Sequence, residues 1–174
     1  MMKISTTLLA ATALIAVAGC SKKRPETLPP APLTDTNPGQ VTPPAQNPYG
    51  NGAVPGSDAD FRQSVTSNTV NFDVDMYDID PQARSILDSQ AAWLAKYPNV
   101  RATIEGHCDE RGTREYNLAL GDRRANAAKN YLVARGVSPS RLTTISYGKE
   151  RPVALGSDQA AYAQNRRAVT VVLN

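Results

Sequence analysis

An α/β (α+β) fold is predicted: a four-stranded mixed sheet, element order β-α-β-α-β-α-β, with helices on one face. Three observations predict it. Nine of the 13 Pro lie between Ser21 and Asp60, leaving four in residues 61–174. Within those 114 residues, apolar positions recur by turns at strand and helix spacing. Helix start and stop residues fall between the runs. A segment of that length buries a core without disulfide staples.

Thr69 to Phe72 is the first strand. Asp80 and Pro81 then mark a helix start, Asp as N-cap and Pro at the first helical position. Ala83, Ile86, Leu87, Ala91 and Leu94 continue the helix to Tyr97, and Pro98 ends it. Trp93 and Tyr97 are read as packing residues. Val100, Ala102, Ile104 and Gly106 alternate with Arg101, Thr103, Glu105 and His107, a strand with one buried face. The polar loop Cys108–Thr113 follows. Arg114 to Arg135 is helical, with Leu118, Gly121, Ala125, Ala128 and Leu132 on one face and Gly136 as stop. Gly121 is expected to interrupt it, so that Asp122 opens a fresh first turn. Leu142 to Tyr147 is the third strand, Ser157 to Asn165 a short helix and Ala168 to Leu173 the last strand. Helix-linked strands argue for partly parallel pairing with right-handed crossovers. Ligands of such sheets sit beyond strand C-termini, where Cys108–Thr113 lies.

Composition excludes several functions. The net charge is +3 without a block of like charge, which argues against nucleic-acid binding. One His and two Cys argue against a His/Cys metal site and against a disulfide scaffold. No cofactor is implied.

The N-terminus reads as an address. Met1-Met2-Lys3 precedes the uncharged, 13-residue stretch Thr7 to Gly19. A spanning helix needs about 20 residues, so this is a signal-peptide core (residues 1–19). Val17-Ala18-Gly19-Cys20 resembles the lipobox of bacterial lipoproteins. That resemblance implies acylation of Cys20, and Ser21 after it implies sorting to the outer membrane. Residues 20–60 then form a lipidated, Pro-rich tether, and 61–174 the folded domain. As a flexible coil the 40 residues Ser21–Asp60 span roughly 35 Å, and about 120 Å when extended. The content of the tether is reach.

Several stretches occur in one register: Asp75, Tyr77-Asp78-Ile79, Val100 to Thr113, Glu115-Tyr116-Asn117-Leu118, Leu120 to Ala127, Ser146 to Glu150 and Asn165-Arg166-Arg167-Ala168. Together they resemble the OmpA-like C-terminal domain family, and most closely its lipobox-bearing members that work with the Tol system. The resemblance implies non-covalent binding of peptidoglycan through the diaminopimelate of its stem peptide. It also implies contact with TolB and other Tol components, on a surface overlapping Leu120–Ala127 and the loop. An envelope role, in outer-membrane integrity and constriction at division, goes with it. Two departures stand out: Cys108 where a small residue such as Ala is common, and Val74 where an aromatic is common.

Diaminopimelate presents an ammonium and a carboxylate on one short side chain. Asp109 suits the ammonium and Arg124 the carboxylate, which its planar fork matches. These two match the family's acid and base. If a helix restarts near Gly121, Arg124 lies in its first turns, where backbone amides add positive potential. Glu110, Arg111, Gly112 and Thr113 would add polar contacts, Asp75 and Asn117 the rim or framework, and Leu120 an apolar wall. Without the resemblance, Asp109 reads as a helix cap and Arg124 as a solvated helix charge. Asn165, Arg166 and Arg167 read as structural, with Arg166 in reach of ligand, and His107 as lying behind the site.

A wall hydrolase or transpeptidase is the rival class. His107 and Cys108 are adjacent on a strand, so their side chains face opposite ways and cannot pair. No GxSxG elbow occurs. A second rival is a periplasmic adaptor whose main partner is TolB. Asp109→Ala and Arg124→Ala are each expected to abolish wall binding and leave the fold intact.

Overall fold

Residues 52–173 are described by the computed structural model. The leader, Cys20 and the Pro-rich stretch through residue 51 lie outside the described residues. The strands are β1 (Thr69–Asn71), β2 (Arg101–His107), β3 (Leu142–Gly148) and β4 (Arg167–Leu173). Their spatial order is β1-β4-β2-β3. β4 runs antiparallel to both β1 and β2, whereas β2 and β3 are parallel. The sheet is therefore mixed, as expected.

Four helices accompany it: α1 (Asp58–Ser64), α2 (Pro81–Lys96), α3 (Arg114–Ala134) and α4 (Gln159–Asn165). Ser57, Asp80, Thr113 and Asp158 cap them in turn, each side chain accepting from a backbone N–H in the first turn. At the far end of α2, Arg141 donates to the carbonyls of Leu94, Tyr97 and Val100.

One face of the sheet is buried. Val70, Ala102, Ile104, Leu142, Ala168 and Val172 point into it and meet Leu87, Leu94, Ala125 and Leu132 from α2 and α3. Burying each of the larger of these side chains stabilises by roughly 1.5–3 kcal/mol. Gln90 is the polar member of this interior. It donates to the Ser67 carbonyl and accepts from Thr170, so its amide is satisfied.

Two expectations are corrected. α3 runs without a break from Arg114 to Ala134, so no helix restarts at Gly121 and Arg124 stands in mid-helix. The glycine is there because α3 crosses β2 at Gly106; a Cβ on Gly121 would strike Ser146 Oγ and crowd the Gly106 carbonyl. The sequence also gave no sign of α1, which stacks Phe61 edge-on against Trp93 and sets Asp60 to accept from Trp93 Nε1. Among the described residues no helix is long and apolar enough to cross a membrane.

Candidate functional site

β2 loses its regular register between Gly106 and His107, and Cys108 N–H then bonds the Gly148 carbonyl of β3. The chain turns out of the sheet there. Asp109 closes the turn, its Oδ1 accepting from Arg111 N–H two residues on. Gly112 takes φ 85°, a conformation few side chains tolerate, and Thr113 caps α3.

The loop is clamped from both sides. Asn117 Nδ2 donates to the Arg111 and Thr113 carbonyls. Lys149 Nζ donates to the Glu110 and Gly112 carbonyls. A backbone whose carbonyls are spoken for holds its side chains in place before ligand arrives.

A cleft of about 270 Å³ opens over this loop. Asp109, Arg111 and Gly112 form one side of it, and Asn117, Leu120 and Arg124 of α3 form its base. Val74 and Asp75 close it from the β1–α2 connection, and Arg166 enters from the start of β4. Three guanidinium groups and two carboxylates thus line one space, so both signs of charge are on offer to a ligand.

Asp109 is 7% exposed and fully engaged. Arg111 Nη2 lies 2.7 Å from its Oδ2, Arg111 Nε 3.1 Å from its Oδ1 and Arg166 Nη1 3.4 Å from its Oδ2. Burial pushes the carboxyl up, but the Arg111 and Arg166 hydrogen bonds and the Arg111 charge outweigh it and hold the group below the usual carboxylate range.

Arg124 is 0% exposed at residue level. Its guanidinium donates to the carbonyls of Asp73, Met76 and His107, and to Cys108 Sγ at 3.4 Å. Burial pushes its pKa down from the ordinary arginine value. No hydrogen bond joins it to Asp109. Arg124 straps the residue 73–76 connection to the end of β2, so Arg124→Ala is expected to loosen that connection as well as to weaken wall binding. Removing Arg124 takes a donor from three carbonyls, two of them in the connection that closes the cleft, where Asp73 keeps the Met76 N–H. That connection is itself tense: Asp75 has φ 57°, the positive value among non-glycine described residues. Its Oδ1 accepts from Tyr116 OH at 3.0 Å.

Of the residues expected at the site, Asp75, Asp109, Arg111, Gly112, Asn117, Leu120 and Arg124 line this cleft. Glu110 and Thr113 do not. Glu110 turns outward to accept from Tyr162 OH, and Thr113 spends its hydroxyl on the α3 cap. Arg166, read from the sequence as in reach of ligand, also lines the cleft, as do Cys108 and Tyr116, which were not read as site residues. Tyr116 lies one turn before Leu120 on α3, a helical spacing that could have flagged it.

His107 and Cys108 part ways as strand geometry requires. His107 stacks near Tyr147 (ring centroids 5.5 Å apart) with Glu105, whereas Cys108 Sγ donates to the Asn117 carbonyl on the helix side. Burial pushes the thiol up in pKa. A thiol–imidazole dyad does not form.

Residues 71–166 match the model of the OmpA family. The chain is similar to the peptidoglycan-associated lipoprotein of Rhizobium meliloti (strain 1021), 59% identical over 120 residues, 69% of this chain and 68% of that one. It is similar to the protein of the same name from Mesorhizobium japonicum, 46% identical over 165 residues, 95% of this chain and 90% of the relative. Among solved structures, the peptidoglycan-associated lipoprotein of Burkholderia pseudomallei superposes with a TM-score of 0.62 at 42% identity, over 66% of this chain and 100% of that one. The C-terminal domain of Helicobacter pylori MotB shares the fold, with a TM-score of 0.57 at 21% identity, over 61% of this chain and 84% of that one.

Proposed function

The chain belongs to the OmpA family and to the peptidoglycan-associated lipoproteins, and on that premise we propose that it binds peptidoglycan non-covalently through the diaminopimelate of the stem peptide. The observation that carries this is Asp109: a carboxylate held ionised on a clamped loop, in a cleft that also holds three guanidinium groups. A short side chain bearing both an ammonium and a carboxylate matches that pairing of charges. Asp75, Arg111, Gly112, Asn117 and Leu120 frame it, and Arg124 positions the frame.

The chain is a binding protein, not an enzyme. Acylated at Cys20, it sits in the outer membrane with its domain in the periplasm. The tether lets that domain reach the wall, so the molecule links membrane to wall within the Tol system and supports envelope integrity and constriction at division. Co-sedimentation with purified sacculi tests the reading. The full-length chain in detergent pellets with the wall and releases no soluble fragments; a chain that stays in the supernatant contradicts it.

The rim supports a protein partner as well. Val74 and Tyr116 of the cleft lining are exposed, as are Met76 and Tyr77 that follow Asp75 in the chain. TolB docked there would cover the same opening, so wall and TolB compete. Adding TolB to wall-bound chain then releases it. Simultaneous binding without mutual weakening removes the shared face.

A further inference from the structure

We infer that a second groove, outside the cleft, takes the sugar to which the stem peptide is joined: an N-acetylated hexosamine held through its hydroxyl and acetamido groups. This inference deepens the wall-peptide reading above and rests on it.

The groove has a volume of about 380 Å³. It lies among the end of β1, the first turn of α2 and the end of α4, where Asn71, Asp73, Asp80, Gln82, Gln164 and Arg166 line it. Its walls are fixed before any ligand arrives. Asn71 Nδ2 donates to the Ala163 carbonyl and ties β1 to α4. Asp80 holds the first turn of α2 by accepting from Ala83 N–H at 2.6 Å. Phe72 and Arg166 are joined twice, Phe72 N–H to the Arg166 carbonyl and Arg166 Nε to the Phe72 carbonyl.

The groove and the cleft share a wall. Arg166 lines both, and Asp73 of the groove precedes Val74 of the cleft. Arg166 spends Nε on Phe72 and Nη1 on Asp109, which leaves Nη2 without a hydrogen-bond partner among the described residues. The side chains of Asp73, Gln82 and Gln164 make no hydrogen bond among those residues either, and all three residues are exposed.

The kind of group on offer selects the ligand. Two primary amides supply donors and acceptors together, a carboxylate accepts from hydroxyls, and a guanidinium donates to an acetamido carbonyl. Asp73 and Asp80 set against Arg166 leave no excess of positive charge, which disfavours an anion. Phe72 is the large apolar residue of the lining and is 5% exposed, so an apolar ligand gains little there. What fits is a neutral group rich in hydroxyls and carrying an amide. In the wall such a sugar stands two residues and a lactyl ether from the diaminopimelate, roughly 10 Å along an extended chain. A stem peptide seated in the cleft therefore carries its sugar within reach of a groove that begins on the far side of Arg166.

The test compares two ligands against full-length chain in detergent: a sugar-free stem tetrapeptide carrying diaminopimelate, and the same tetrapeptide bearing its N-acetylglucosamine–N-acetylmuramic acid disaccharide. Wild type binds the disaccharide form more tightly by at least about fivefold. The double variant Gln82→Ala, Gln164→Ala changes two exposed side chains outside the cleft. It is expected to bring the two affinities within about twofold of each other while the sugar-free peptide binds as it does to wild type. Wild type with equal affinity for both ligands overturns the inference and leaves the wall-peptide reading standing. A double variant that keeps the full preference, or that loses both ligands in parallel, does the same. Wild type that binds neither ligand overturns both.

Discussion

Gly106 on β2 and Gly121 on α3 meet backbone to backbone: a Cβ on Gly106 would overlap the Gly121 carbonyl. This crossing sets how deep α3 lies on the sheet, and so where Asn117, Leu120 and Arg124 stand relative to the loop that leaves β2.

Gly106→Ala is therefore expected to destabilise by about 2–3 kcal/mol or more, because backbone has to yield. Gly121→Ala is milder. Its Cβ strikes a side-chain hydroxyl, Ser146 Oγ, and alanine recovers about 1 kcal/mol of helix propensity. Urea midpoints of the two variants check the order.

Arg124→Lys and Arg124→Ala are expected to lower stability by about 1–3 kcal/mol, since the carbonyls of Asp73, Met76 and His107 lose a hydrogen-bond donor, the His107 bond in buried surroundings and the other two in part-buried ones. Equilibrium unfolding measures the loss. Proteolysis confined to residues 73–76 in the folded variant would mark the released connection.

His107 makes the domain acid-sensitive. Its imidazole is 2% exposed, among Arg151, Arg167, Glu105 and Tyr147, with Glu105 Oε2 3.5 Å from Nε2 and the Arg151 backbone opposing the shift. Burial, with the Arg167 and Arg151 charges, pushes its pKa down to about 4. The unfolded chain titrates near 6.5, so between those values it binds more protons than the folded one. Stability is full above pH 6.5 and falls as pH drops toward 4, by about 2 kcal/mol at pH 5. His107→Phe keeps a ring against Tyr147 and removes the slope between pH 7 and 5. A variant whose urea midpoint still falls across that range contradicts the assignment.

The sheet's strands, α2 and most of α3 and α4 were legible because their signals are local: alternation in β2, the Asp80-Pro81 start, Gly136 after α3. What escaped depends on contacts distant in sequence. α1 sits in Pro- and Gly-rich company and is held by Trp93, 33 residues from Asp60. Gly121 reads as a helix breaker until β2 is laid against it. Asp109 and Arg124 were legible as a pair of charges, but their partners were not. Arg124 is buried by carbonyls up to 51 residues away, and Asp109 meets Arg166 across 57. Strand order follows from packing for the same reason.

Asp109 is expected to grip the ammonium of the wall peptide. The most direct measurement is the affinity of full-length chain for a diaminopimelate-containing stem peptide, wild type against Asp109→Asn, which keeps the shape and removes the charge. Loss of a desolvated charge partner costs about 2–5 kcal/mol, so the affinity is expected to fall at least about thirtyfold. Asp109→Asn binding within about twofold of wild type, with the same unfolding midpoint, would contradict the account.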